Sequence, residues 1–431
     1  MGGIILGAFL VMMFLGVPIA FALGLAGALG IYLSPGGSDL LLVMPQEIFR
    51  ILSSFPLLTI PLFIFAGTIM AGSGLGKRLI DLAQISVGRM PGGLGAAIVL
   101  ASMFFSGVSG SATADTAAIG RVTIPALKNQ GYPLPFGTAL LAAAGGTAML
   151  IPPSIDLIII GIVANMSIAG LFAAGLVPAV INGLALMALV GYVSWRQKYG
   201  FYTAVTLREA LRVIVSAIPA LVMIVIILGG ILSGVFTPTE SSAVAVIYAL
   251  FVAFFVYRDL ELSQIPEILR GTLELTGMVL LVIAMGAILS YALTFNRIPH
   301  ELAAALPAFT DSKIVFLLLV QITFFLIGIV MDGTPALLIL VPILTPIAVN
   351  TYGIEPIHFG ILVEANVALG LVTPPVGLCL YAACAVSRLP LESVIRPLLP
   401  MIGVLVVTML FITYVEGFAM TLPRWLGLVE P

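Results

Sequence analysis

Apolar residues run along this chain in long blocks, at 4–31, 51–69, 171–193, 213–232, 243–256, 278–293 and 401–415. Each reads as a helix crossing a bilayer, and the short block at 243–256 is lengthened by Thr239–Ser242. Two more blocks, 135–165 and 356–386, are as apolar but broken by proline pairs, Pro152-Pro153 in GTAMLIPPSI and Pro374-Pro375 in GLVTPPVGLCLY. Two others, 92–128 and 313–350, are polar where a span should be most apolar: SGVSGSATAD (106–115) and MDGTP (331–335). Those centres suit the tips of re-entrant hairpins, because irregular backbone at membrane depth survives only when buried in protein or lining a cavity. The pattern predicts nine full crossings and two hairpins.

Charge placement supports that count. Alternating the loops puts Lys77, Arg78, Arg89, Arg121, Lys128, Arg196, Lys198, Arg208, Arg212, Arg258, Arg270, Arg388 and Arg396 on one side, and leaves only Arg50, Arg297, Lys313 and Arg424 opposite. The richer side is cytoplasmic, which puts the N-terminus inside and the C-terminus outside. The grouping closes only if 92–128 and 313–350 enter and turn back. Met1–Gly3 carries no basic residue, so the first block is expected to be a retained span.

Composition narrows the class. With 61% hydrophobic and 8% charged residues, a soluble globule could not hide the apolar surface. A net charge of -2 offers nothing to nucleic acid. Cys379 and Cys384, five apart in one apolar block, read as small buried hydrophobes.

An offset of 222 places Pro152 on Pro374, Pro153 on Pro375, Gly110 on Asp332, Gly131 on Gly353 and Pro178 on Pro400. The expected organisation is a scaffold span over 1–49, repeat one over 50–194, a cytoplasmic loop and central scaffold spans over 195–270, and repeat two over 271–431. Each repeat runs span, hairpin, broken helix, span. The first hairpin opens inward and the second outward, so the fold class is an all-α polytopic membrane protein with inverted repeats, as in secondary transporters.

Adjacent prolines remove a backbone donor and leave carbonyls of the preceding turn unpaired, which is costly in hydrocarbon unless a cation binds them. The new half-helix ends suit Na⁺ at carbonyls and an anion at amides. Two Na⁺ sites are therefore expected. The inner one draws on Ser106, Ser109, Gly110, Ser111 and Asp115 with Gly145, Gly146, Thr147 and Pro152. The outer one draws on Asp332, Gly333 and Thr334 with Gly370, Val372, Thr373 and Pro375. Hydroxyl, carbonyl and single carboxylate oxygens suit a hard monovalent ion, and no His/Cys/Glu cluster invites a transition metal. The plainer readings are that the prolines kink, the serines pack helices and Asp115 caps the second hairpin helix. Two breaks at equivalent positions, each preceded by Gly and each matched to a polar tip, favour sites. Glu364 is a candidate for carrying a proton or pairing with an arginine, whereas Glu240 and Glu416 lie near span ends and His300 and His358 at loop edges.

SGSATADTAAIG, GTAMLIPPSI, MDGTPALLILVPILTP and GLVTPPVGLCLY, with FLGVPIAFALG at 14–24, together resemble the large membrane subunit of tripartite ATP-independent periplasmic (TRAP) transporters along essentially the whole chain. The resemblance implies an elevator in which hairpins and broken helices slide against a scaffold. It also implies Na⁺-coupled uptake of a small carboxylate, a soluble periplasmic substrate-binding protein, and a small four-span membrane subunit expected as a separate chain. In it the tip serines and Asp115 match the inner sodium region, and Asp332 with Thr373-Pro374-Pro375 the outer one. Substrate is expected between the tips, with Ser111, Thr113, Ser154, Asp156, Thr334 and Cys379 as facing candidates. Two departures stand out. Cys379 replaces a more usual asparagine, and Asp156 replaces an apolar residue, suiting a cation partner or a substrate amine.

Two alternatives remain open: a carboxylate or oxyanion carrier working without a binding protein, with proton coupling through Glu364, and an intramembrane aspartyl protease using Asp115 and Asp332. Paired carboxylates can activate water, but VMDGT is not the GxGD context of such proteases. A channel is disfavoured because the polar groups form two clusters and no continuous path.

Overall fold

The computed structural model describes residues 1–199 and 206–429, so part of the cytoplasmic loop expected at the start of 195–270 falls outside the described residues. These residues form helices and connections only. The chain opens with α1 (Gly2–Phe14), α2 (Ile19–Tyr32), a single turn α3 (Gly37–Leu40) and the amphipathic α4 (Val43–Leu52). Next come α5 (Thr59–Gly72), α6 (Leu75–Val87), the helix–turn–helix α7 (Gly93–Ser109) and α8 (Ala112–Asn129), the interrupted pair α9 (Leu134–Ala148) and α10 (Ile155–Val163), and α11 (Ile168–Gln197). In the middle lie α12 (Leu207–Leu232) and α13 (Pro238–Phe251). The order of the earlier set then recurs: α14 (Ile265–Phe295), α15 (Ile298–Phe309), the helix–turn–helix α16 (Lys313–Val330) and α17 (Gly333–Asn350), the interrupted pair α18 (Pro356–Gly370) and α19 (Leu378–Ser387), and α20 (Leu391–Tyr414). The last helix is α21 (Glu416–Trp425).

Among the described residues seven helical stretches are long and apolar enough to cross a bilayer: Phe55–Gly72, Ile168–Gln197, Leu207–Leu232, Pro238–Tyr257, Leu262–Phe295, Gly333–Asn350 and Leu391–Tyr414. At about 1.5 Å per residue the 31 residues of α14 reach roughly 46 Å, while the 9 of α10 reach only about 14 Å. The interrupted helices therefore cross by two short pieces with irregular backbone between them. Local chemistry sets several starts. Thr206 and Glu209 form a capping box for α12, Thr237 and Glu240 one for α13, and Glu355 accepts from His358 N–H at 2.7 Å to begin α18.

The N-terminal segment overturns an expectation. The 4–31 block folds back on itself and does not cross as one span. Gly16 adopts φ 81, with Val17 N–H reaching the Met12 carbonyl and Gly16 N–H the Met13 carbonyl, and Pro18 follows. This left-handed stop satisfies the carbonyls of α1 and prevents the helix from continuing. The arms run antiparallel, with Gly30 against the Ile5 side chain and Gly2 against Ile298. Ser34 at the far end of α2 is hydrogen-bonded to Asn296. Both ends of the segment therefore lie at the Arg297 end of α14, and the block is two antiparallel helices where one span was expected. Hydropathy stays high through FLGVP, so only the Gly–Pro spacing signalled the turn.

The centre of the molecule is filled by the first halves of the interrupted helices. Every residue from Phe136 to Ala148 and from Ile357 to Gly370 is buried. Polar side chains there must bond inward, as Thr138 does to the Leu134 carbonyl and His358 Nε2 to the Ile412 carbonyl. Large apolar side chains on α12 and α14, such as Val215, Val225, Leu273 and Met278, are exposed, which suits contact with lipid tails. α2 lies on α14 through Gly24, Gly27 and Gly30. A Cβ at Gly27 would stand 2.7 Å from Leu289 N, so only glycine lets these backbones meet. At the other end α6 is held by Arg78, which bonds Asp259 at 3.0 Å and lies over the Tyr257 ring.

Candidate functional site

The first tip closes on the first break. α7 ends at Ser109, Gly110 turns the chain with φ 66, and α8 starts after Ser111. A Cβ on Gly110 would lie 2.9 Å from the Pro153 carbonyl oxygen, so the missing side chain is what brings the tip onto the break. Ser106 donates to the Ala148 carbonyl at 2.7 Å, a second bond to a carbonyl that also accepts from Ile151 N–H at 2.9 Å where α9 ends. The Ser109 hydroxyl donates to Asp115 Oδ1 and accepts from Ser111 N–H at 3.2 Å. Asp115 is 1% exposed, and its Oδ2 has no hydrogen-bond partner. It sits in the first turn of α8, as a cap reading requires, but bonds the serine and not a helix amide.

Other expected members of this group serve packing. A Cβ at Gly145 would meet Thr116 Oγ1 at 1.9 Å, and one at Gly146 would meet Val372 Cγ1 at 2.4 Å, so these glycines let α8 and the second break lie against α9. Thr147 spends its hydroxyl on the Ala143 and Ala144 carbonyls of its own helix. Pro152 is buried beside the tip, with its carbonyl 3.8 Å from the place a Gly107 Cβ would take.

The second tip is arranged differently. Asp332 is exposed and accepts from Gly333 N–H at 2.8 Å, capping α17. Thr334 turns away from the second break and donates to Asp156 Oδ1 at 2.9 Å, across to the start of α10. Gly333 packs on Val367, and Gly370 faces Gly328 so closely that a Cβ would stand 2.7 Å from that residue's Cα. Val372 is buried, Thr373 bonds back to the Leu369 carbonyl at 2.8 Å, and Pro375 is exposed. No hydrogen bond joins Asp332 or Thr334 to Thr373 or Pro375 among the described residues, so the structure gathers the expected inner group more fully than the outer one.

Of the substrate-facing candidates, Ser111 and Thr113 are half-buried at the first tip. Ser154 is buried, accepts from Leu157 N–H at 3.4 Å and donates to Glu364 Oε1 at 3.2 Å. Cys379 is buried and free, as is Cys384. Asp115 and Asp332 bond Ser109 and Gly333 respectively, and the two carboxylates do not bond each other. Sequence reasoning passed over Asn366. It is fully buried one turn before Gly370, donates to the Leu362 carbonyl at 2.7 Å and has an amide oxygen with no partner. Its only signal was an amide within ANVALG. Among the described residues no group of three or more His, Cys, Asp or Glu is placed to hold a metal ion.

A cleft of about 420 Å³ opens between α4, the end of α10, α14 and α17, lined in part by Arg50, Ser54, Asn165, Ser290, Tyr291 and Leu338. Arg50 at its mouth is paired with Glu47 at 2.7 Å.

Residues 6–418 match the family model described as tripartite ATP-independent periplasmic transporter, DctM component. The C4-dicarboxylate TRAP transporter large permease protein DctM of Pseudomonas aeruginosa is 42% identical over 408 residues, covering 94% of this chain and 95% of its own. The isethionate TRAP transporter permease protein DctMQ of Oleidesulfovibrio alaskensis is 38% identical over 421 residues, covering 97% of this chain and 65% of its own. Among solved structures, the YdaH transporter of Alcanivorax borkumensis superposes with a TM-score of 0.61 at 16% identity, over 92% of this chain and 90% of that one, a likeness of fold.

Proposed function

Because this chain belongs to the DctM-component family of tripartite ATP-independent periplasmic transporters, we propose that it is the Na⁺-coupled carrier of such a system, moving a small carboxylate across the bacterial inner membrane by an elevator motion. The small membrane subunit and the periplasmic substrate-binding protein of a TRAP system are its partners, and the binding protein delivers the substrate. The two sets 59–197 and 265–414 act as inverted repeats. Their hairpins and interrupted helices travel, while α1, α2, α5 and α12 to α14 stay. By the charge distribution, the end carrying Arg297 and Arg424, and with it Met1, faces the periplasm.

The observation that carries the reading is the first tip. Asp115 is buried in the middle of an apolar molecule with one carboxylate oxygen unpartnered and the other on the Ser109 hydroxyl, at a tip that also carries Ser106 and Ser111 and lies on the break carbonyls of Pro152 and Pro153. An uncompensated carboxylate there is costly, and hard oxygens around it fit Na⁺. The outer ion would draw on Asp332, Gly333 and Thr334 with Gly370, Val372, Thr373 and Pro375. Bound Na⁺ would supply charge balance that holds each tip against its break. Substrate would sit between the tips, near Ser111, Thr113, Thr334 and Cys379.

The test is thermal stability of the purified protein against Na⁺, with K⁺ holding ionic strength, for wild type, Ser109→Ala and Asp332→Ala. A ligand at about 100 times its dissociation constant adds roughly 2.7 kcal/mol to the folded state. A rise with Na⁺ but not K⁺, blunted in both variants, supports the reading. No difference between the cations would overturn it.

A further inference from the structure

Asp156 and Glu364 are left over by both tip-and-break sites. Glu364 is 0% exposed and Asp156 3%. Each carboxylate has one oxygen engaged by a hydroxyl, Glu364 Oε1 by Ser154 and Asp156 Oδ1 by Thr334. The other oxygen of each, Glu364 Oε2 and Asp156 Oδ2, has no partner. The two acids lie within electrostatic reach of each other. The ion pairs formed among the described residues all lie elsewhere, at Arg50, Arg78, Arg270 and Arg424. At Gly333 a Cβ would meet Val367 Cγ1 at 2.3 Å and Asp156 Oδ2 at 2.9 Å, so the bare glycine is what lets the second tip lie against this acid.

Two carboxylates that repel in an apolar interior, each with a bare oxygen, set up a negative potential that a positive charge would relieve. The surrounding hydroxyls are hard donors, and among the described residues no third acid is placed to ligate with these two, which suits a monovalent ion better than Ca²⁺ or Mg²⁺. We propose that Asp156 and Glu364 bind one small monovalent cation, distinct from the inner tip-and-break site and adjoining the outer one through Thr334, held between α10, α18 and the second tip. The chemistry is that of Na⁺ or of the ammonium group of a zwitterionic substrate. The proposal rests on the reading of the chain as a cation-coupled carrier, and it makes the Asp156–Thr334 bond a link that forms or breaks with the cation when the second tip moves.

The test uses the full-length purified protein in detergent. Melting temperature is followed against NaCl and, separately, methylammonium chloride, with choline chloride holding ionic strength, for wild type, Asp156→Asn, Glu364→Gln and Ser109→Ala. Both acid variants are near-isosteric and keep an acceptor for Ser154 or Thr334, and either alone carries the test if the other fails to fold. They are expected to melt higher than wild type in choline alone, because the repulsion is gone, and to gain less from the cation that fills the site. A reduced response to Na⁺ identifies a coupling ion, and one to methylammonium alone identifies an amine pocket. If Ser109→Ala loses its Na⁺ response while both acid variants respond as wild type, the tip site stands and this site falls. A wild type indifferent to both cations would sink both readings.

Discussion

The first tip and break are closed, and the second are open, although both are built from the same order of elements. At the first, Gly110 lies on the Pro153 carbonyl, Ser106 bonds the Ala148 carbonyl, and Asp115 is buried at the start of α8. At the second, Asp332 and Pro375 are exposed, and Thr334 reaches past its own break to the other broken helix. The difference follows from where each half places its acid. Asp115 lies four residues beyond Ser111 and points back at the tip, whereas Asp332 is the cap of α17 and spends an oxygen on its own helix. Equal scaffolds therefore carry unequal electrostatics, and a closed arrangement at one end coexists with an open one at the other.

The sharpest way to break this comparison is at the glycines. Gly370→Ala drives a Cβ into backbone at Gly328, which cannot yield, while Gly146→Ala meets first the Val372 side chain. We expect Gly370→Ala to cost about 3 kcal/mol, at the upper end of overpacking, and Gly146→Ala less, read by thermal melting in the same detergent. Equal losses would mean that the second break relaxes as freely as the first. Next in size is Ser106→Ala, which removes one of the two donors to the Ala148 carbonyl in a buried site and should cost about 1.5 kcal/mol. Asp332→Ala, at the exposed tip, removes a helix cap and should cost nearer 1 kcal/mol in the absence of Na⁺. A loss at Asp332 exceeding that at Ser106 would reverse the assignment of closed and open ends. The mildest probe leaves stability alone. With Cys379 and Cys384 replaced by alanine, Asp332→Cys should react with a membrane-impermeant maleimide faster than Ser109→Cys, because access governs thiol labelling.

The tips and breaks were legible in the sequence because serine, glycine and proline interrupt runs that are otherwise wholly apolar, and no plain membrane span has reason to do that. The N-terminal fold-back was not, since Gly16 and Pro18 turn the chain without lowering its hydropathy. The Asp156–Thr334 and Ser154–Glu364 contacts were also out of reach, joining residues 178 and 210 apart that share no local pattern. The sequence marked Asp156 as a departure and Glu364 as a buried acid, but only the packing of α18 against α10 makes them neighbours. The role of Gly145 and Gly146 shifted for the same reason. Both sit before a break, yet what they touch is Thr116 and Val372 of other elements.

The arms of the N-terminal fold-back have 13 and 14 residues. Each is about 20 Å long, whereas the hydrocarbon core of a bilayer is about 30 Å thick. Where lipid borders this pair, as the exposed Phe14, Leu15, Phe21 and Leu25 invite, the leaflets must pinch inward to cover it. The elastic cost of that dimple falls in a thinner membrane, so the lipid chain length of the host membrane becomes a determinant of how comfortably this protein sits.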